Sequence, residues 1–183
     1  MANTTNHHIP TIVYVEDNAG DAVLLEEALR ERGHATQLLV IEKGDKALHY
    51  FEVKASARDL PPPHCILLDS HLPMVTGSQL LRFIRGSDAY VHTPVYIFAD
   101  MTGYQDLLHA GIVSRDSFIS KPSDWQQFLE LANLLMRSAE ANQQQVANPQ
   151  TNKQPELPAS GLLQSHDATL TPVQSKSPRR NDA

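Results

Sequence analysis

The chain has 183 residues, 41% of them hydrophobic, with a formal net charge of −6 and a pI of about 5.8. That allows one domain of ordinary size and one core, with residues left over. The acidic balance argues against a nucleic-acid partner, no apolar run approaches the ~18 residues of a membrane span, and the single cysteine, Cys65, excludes both an intramolecular disulfide and a four-thiolate zinc site.

The first residues, MANTTNHHIP, lack the basic region, apolar stretch and cleavage site of a secretory signal, so the cytoplasm is the expected location. His7 and His8 raise metal binding, but a solvated terminus accounts for them. Residues 1–9 are read as a flexible N-terminus. Thr11-Ile12-Val13-Tyr14-Val15 is short, β-branched and apolar, like a strand covered on both faces, and it ends at Glu16-Asp17-Asn18. Val23, Leu24, Ala28 and Leu29 then recur at helical spacing, and Gly33 is a natural C-terminal stop. Residues 38–41 predict a second strand. Residues 43–56 predict a helix carrying Ala47, Leu48, Phe51 and Ala55, closed by the rigid Leu60-Pro61-Pro62-Pro63.

Residues 64–69 predict a third strand, again ending in an acid, Asp69. Cys65 lies in its apolar run and reads as a small core residue. A helix follows over 78–85 with Leu80, Leu81 and Ile84, then a fourth strand over 94–98, where a leading proline is tolerated. Residues 104–110 predict a short helix and 117–120 a fifth strand. Ser123 suits an N-cap, with Gln126 in the capping-box position. Trp125, Phe128, Leu129, Leu131, Ala132 and Leu135 give the last helix its apolar stripe. Composition changes near residue 139. Residues 139–183 are rich in Gln, Asn, Pro and Ser with balanced charge, and they are read as a disordered polar tail. The folded domain is expected over 10–138.

Regular βα alternation predicts one parallel sheet with helices on both faces. Ligands of such sheets bind beyond the carboxyl ends of the strands. Strand one delivers Glu16 and Asp17 there, strand three Asp69, and strand five Lys121 followed by Pro122. One acid at a strand end is usually a turn former or a cap, and a lysine before proline is usually a loop residue. The joint pattern is different. Three carboxylates in one crevice repel one another unless a cation intervenes, and hard oxygen donors with room for water suit Mg²⁺. Lys121 adds a flexible charge able to pair with phosphate.

In these stretches the sequence resembles the response-regulator receiver family over about residues 10–138. VYVEDN is similar to the family's acidic-pair strand end. LLDSHLPMVTG is similar to its phosphoacceptor segment, with Pro73 and Gly77 at the expected offsets, and SFISKP to its fifth-strand end with a lysine and a cis-proline. The VEDNAGDAVLLEEAL stretch is most like small regulators that partner phytochrome-type histidine kinases. The resemblance implies a flavodoxin-like (βα)5 fold with strand order 2-1-3-4-5. It makes Asp69 the phosphoacceptor, with Mg²⁺ held by Glu16, Asp17, Asp69 and the backbone carbonyl of His71. Lys121 pairs with the phosphoryl group, Pro122 shapes the turn, and Phe118 is the aromatic switch residue.

One position departs from the family: where a Thr or Ser hydroxyl would meet the phosphoryl group, PVYIFAD has Ala99. The expected function is that of a single-domain regulator phosphorylated by a sensor histidine kinase or a phosphotransfer protein. No DNA-binding module follows residue 138, so output by protein–protein contact is expected, with a second copy of the chain as a further candidate partner and neither nucleic acid nor membrane. It is not expected to be an enzyme beyond its own Mg²⁺-dependent phosphorylation and dephosphorylation. The alternative is a degenerate receiver that binds a partner without phosphate, for which Ala99 is the support. A phosphatase or nucleotide-binding enzyme is opposed by the lack of a glycine-rich loop after strand one.

Overall fold

The computed structural model describes residues 9–57, 59–99 and 117–147. The expectations for His7 and His8, for a helix over 104–110 and for residues 148–183 lie outside the described residues. Five strands, β1 (Thr11–Val15), β2 (Gln37–Ile41), β3 (Cys65–Asp69), β4 (Val95–Ala99) and β5 (Ser117–Ser120), form one sheet in the order β2-β1-β3-β4-β5. Every neighbouring pair is parallel. The helices are α1 (Ala19–Glu31), α2 (Gly44–Ser56), α3 (Gly77–Arg85) and α4 (Trp125–Ala147), with a 3-10 turn at Asp88–Tyr90. This is the expected fold.

Alternation along the strands divides the core in two. Ile12 and Tyr14, Cys65 and Leu67, and Phe98 face one side, where α1 and α4 cover them. Val13 and Val15, Ile66 and Leu68, and Val95 and Ile97 face the other, where α2, α3 and the 3-10 turn cover them. Both faces are apolar because both carry helices, which is why the strands read as continuous hydrophobic runs.

Local signals set the helix ends. The Asn18 side chain accepts a hydrogen bond from Gly20 N and starts α1, and Gly33, at φ 69°, follows its C-cap. Thr76 and Gln79 form a reciprocal capping box at α3.

Three expectations need correction. In α1 the buried stripe is Ala22, Leu25, Ala28 and Leu29, while Val23 and Leu24 are exposed. The helix carries two apolar faces, and the one with two alanines packs, since small side chains let it approach the sheet closely. At α4 the N-cap is Asp124 rather than Ser123: Asp124 Oδ1 accepts from Gln127 N at 2.9 Å. The Gln127 side chain returns to Ser123 N and Asp124 Oδ2, which leaves Trp125 in the first turn, partly exposed.

Third, α4 does not stop near residue 138. It continues to Ala147, with Ala139 and Asn142 buried. Ala, Glu and Gln are strong helix formers, and a helix already docked by Leu135 and Met136 extends its stripe with one small and one polar residue. Asn142 Nδ2 donates to the His64 carbonyl at 3.0 Å, and Tyr96 Oη and Ser138 Oγ lie 2.6 Å apart. Together they tie α4 to the start of β3 and to β4.

Candidate phosphoacceptor and cation site

The parallel register places the carboxyl ends of β1 and β3 side by side, with β5 one strand further on, beyond β4. Val15 is opposite Leu68, and Asp69 is opposite Phe98, so Glu16, just past β1, stands level with Asp69. Glu16 and Asp69 are almost fully buried and Asp17 is exposed. Oxygens of the three carboxylates lie within 4.8 Å of one another, a donor set able to hold a divalent cation.

Lys121 enters from β5. Its Nζ is 3.1 Å from Glu16 Oε2, 3.3 Å from Asp69 Oδ2 and 3.5 Å from Asp21 Oδ2. It also sits over the Phe98 ring at 5.2 Å from the centroid. The Asp69 carboxylate is further held by His71 N, which donates to Oδ1 at 3.2 Å, so the His71 backbone adjoins the acid through its N–H. Ser70 Oγ and His71 Nδ1 are 2.9 Å apart. Gly77 has a local reason for being glycine: a Cβ there would lie 2.2 Å from the Asp69 carbonyl oxygen. The loop that follows Asp69 therefore closes only over a residue without a side chain.

Three carboxylates, Glu16, Asp21 and Asp69, pair with one ammonium, and a fourth, Asp17, adjoins Glu16 and Asp69. The imbalance shows in Glu16. Burial, then the negative charge of Asp69, raises its pKa, and the hydrogen bond from Asn18 N and the charge of Lys121 only partly offset this. Burial pulls the Lys121 pKa down, but its hydrogen bond to Glu16 and the charge of Asp69 outweigh burial and leave it raised. Lys121 therefore stays charged, and the surplus of negative charge is what a divalent cation would relieve.

Thus the sequence-derived residues Glu16, Asp17, Asp69, Lys121 and the His71 backbone come together. Phe118 lies half-buried against the core on the α2–α3 face, opposite Ile97 in register. Ala99 ends β4, paired with Ser120. The expected cis-proline is corrected: no peptide bond among the described residues is cis, the Lys121–Pro122 bond included, and trans is the favoured isomer even before proline.

Sequence reasoning missed Asp21, Tyr14 and Phe98. Asp21 had a signal, an acid in the first turn of the helix that follows the acidic pair. Tyr14 had another, since it and Glu16 are two apart and so share one face of the strand.

A fold of this order with three acids and a lysine at its carboxyl edge defines a receiver. The response regulator receiver domain model matches residues 12–133, and the chain belongs to that family. It is 30% identical over 116 residues to a probable methanogenesis regulatory protein, FilR2, of Methanothrix harundinacea, covering 63% of this chain and 74% of the relative. It is 22% identical to the response regulator Rcp1 of Synechocystis over 66% of this chain and 82% of that one. Among solved structures, the bacteriophytochrome response regulator AtBRR is 32% identical with a TM-score of 0.56, covering 72% of this chain and 94% of that chain. The Mn²⁺-bound form of Rcp1 shares the fold at 21% identity and a TM-score of 0.57, covering 67% and 88% of the two chains.

Proposed function

We propose that this receiver is a cytoplasmic single-domain response regulator whose Asp69 accepts a phosphoryl group from a histidine kinase or phosphotransfer protein in a phosphorelay. The observation that carries the reading is the buried Asp69 carboxylate, 3.3 Å from Lys121 within a cluster of acids. Mg²⁺ suits that oxygen donor set, with Asp17, Asp69 and the His71 carbonyl as ligands and Glu16 completing the acidic cluster; when bound it neutralises charge on the group in transfer. Lys121 is placed to follow the phosphoryl oxygens. The P–N bond of a phosphohistidine breaks as a P–O bond forms to a carboxylate oxygen of Asp69, the imidazole takes up a proton, and water later hydrolyses the acyl phosphate.

The kinase is proposed to be phytochrome-type, on the likeness to the bacteriophytochrome response regulator, and output is through protein–protein contact. The protein turns over no separate metabolite.

Incubation with Mg²⁺ and phosphoramidate, read by intact mass, tests the reading. Wild type should gain one phosphoryl group and Asp69→Asn none, and Asp17→Asn should need more Mg²⁺ for the same labelling. Equal labelling of wild type and Asp69→Asn would refute it.

A further inference from the structure

Tyr14 is a tyrosine hydroxyl placed inside the core. The side chain is fully buried on the α1–α4 face of the sheet, and its ring meets Phe98 edge-on, with centroids 5.8 Å apart and planes at 82°. A buried hydroxyl needs a partner, and here the partner is a site residue: Tyr14 Oη donates to Glu16 Oε2 at 2.9 Å. The direction of the bond is fixed. Burial, then the charge of Glu16, raises the Tyr14 pKa far above the ordinary phenol value, so the phenol keeps its proton.

The other sites on Glu16 are also taken. Oε1 accepts from Asn18 N at 3.1 Å and from Lys121 at 3.4 Å, and Oε2 accepts from Lys121 at 3.1 Å as well as from Tyr14. A carboxylate has about four acceptor positions. Glu16 spends them on the core, the strand end and the lysine, and none is left for direct contact with a cation.

We infer that Tyr14 is a positioning residue: its hydroxyl locks Glu16 onto Lys121 and holds Glu16 away from the cation, leaving Asp17 and Asp69 to supply the carboxylate contacts. The inference rests on the proposed phosphoacceptor role only for what Lys121 then does. The part that concerns the cation stands without it.

Tyr14→Phe removes the hydroxyl and keeps the ring against Phe98. Two measurements read the result: the Mg²⁺ dissociation constant by calorimetry, and the saturation kinetics of phosphoramidate labelling at saturating Mg²⁺. Glu16 Oε2, once released, turns toward the cation, so Mg²⁺ should bind about threefold or more tightly. Lys121 loses its fixed anchor, so the maximal labelling rate should fall about three- to tenfold with the half-saturating donor concentration unchanged. In a Glu16→Gln background the same substitution should change neither quantity by more than about twofold, because the effect passes through Glu16.

Mg²⁺ affinity that is unchanged or weaker in Tyr14→Phe would overturn the inference, as would an equal effect in both backgrounds. If wild type takes no label, the phosphoacceptor reading fails while the Mg²⁺ measurements still decide the role of Tyr14. If Tyr14→Phe does not fold, wild type supplies the test: the hydrogen-bonded Tyr14 hydroxyl proton should remain visible by NMR at saturating Mg²⁺, and its loss would show Glu16 moving to the cation.

Discussion

Removing residues 139–183 discriminates between composition and packing as guides to where the domain ends. From composition, a chain ending at Ser138 loses only polar tail and should melt like the full protein. The structure says otherwise. Ala139 is fully buried, and loss of its methyl group is worth about 0.8 kcal/mol. The bond from Asn142 Nδ2 to the His64 carbonyl is worth roughly 0.5–1.5 kcal/mol net. Asn142 Oδ1 has no partner among the described residues, and the desolvation cost of that buried oxygen offsets part of the bond. The net loss is then about 1–2 kcal/mol. At ~2–4 °C per kcal/mol for a domain somewhat over a hundred residues, the thermal midpoint should fall by about 2–8 °C. A chain ending at Ala147 should melt within about 1 °C of full length. Thermal melts followed by circular dichroism, with a urea titration to check that the m-value is preserved, make the comparison. If the chain ending at Ser138 melts together with the one ending at Ala147, the last turns of α4 contribute nothing and the packing argument is wrong.

Burial pushes the Cys65 thiol up to about 12, so a water-soluble disulfide reagent at pH 8 should label it only when the protein is unfolded; rapid labelling of the folded protein would contradict the burial. Because its folded pKa lies above the unfolded value of about 9, the stability linked to this thiol is intact below pH 9 and lost as the pH climbs toward 12, and Cys65→Ala should lessen that alkaline loss in urea titrations at pH 8 and pH 11. Met74 is 82% exposed at φ 68°, a conformation costing a non-glycine residue roughly 1–2 kcal/mol. After the chain-entropy cost of glycine, Met74→Gly should stabilise by about 0.5–1 kcal/mol in the same titration, and a loss of stability would show that the side chain packs after all. A hydrogen bond from a Thr hydroxyl to a phosphoryl group is worth roughly 1.5–3 kcal/mol, as large as a typical coupling energy of about 1–3 kcal/mol. Ala99→Thr should therefore enlarge the NMR shift changes that beryllofluoride induces around Phe118; equal responses in the two proteins would show that another group carries the coupling.

The sheet was legible in the sequence because helices cover both of its faces, which makes each strand an unbroken apolar run ending abruptly at a charge. The same abruptness exposed Glu16-Asp17, Asp69 and Lys121. The α1 face was not legible: Val23 and Leu24 are as hydrophobic as Leu25 and Leu29, and only the closeness of the helix to the sheet selects the face that carries Ala22 and Ala28. The end of α4 was misread for the opposite reason. A polar stretch cannot fold alone, but it can prolong a helix already anchored by Phe128, Leu131, Leu135 and Met136. The convergence of Glu16 and Asp69 on Lys121 was legible from the strand ends, but that Asp21 joins them and that all three lie within 3.5 Å of one ammonium depends on register and rotamer rather than on spacing.

The two ends of the sheet follow different rules. At the amino end, polar groups are matched in the ordinary way with the exception of Asn142 Oδ1: His64 Nδ1 accepts from Thr11 N at 2.9 Å, Gln37 N donates to the Pro10 carbonyl, and Asn142 Nδ2 reaches the His64 carbonyl. At the carboxyl end the local rules are broken repeatedly within a few residues of Asp69. Three carboxylates share one lysine, a glutamate is buried with its pKa raised, a tyrosine hydroxyl is committed to a charged partner, and a methionine holds a left-handed backbone. Each is unfavourable for folding taken alone, and each adjoins the residues that would meet a cation or a phosphoryl group. A fold whose local inconsistencies gather in one place points to that place as the functional one. Here the inconsistency also has a sign. The surplus charge is negative, so a ligand that relieved it would be a cation, and Lys121, the ammonium that pairs with this cluster among the described residues, would then be left to answer an anion at Asp69.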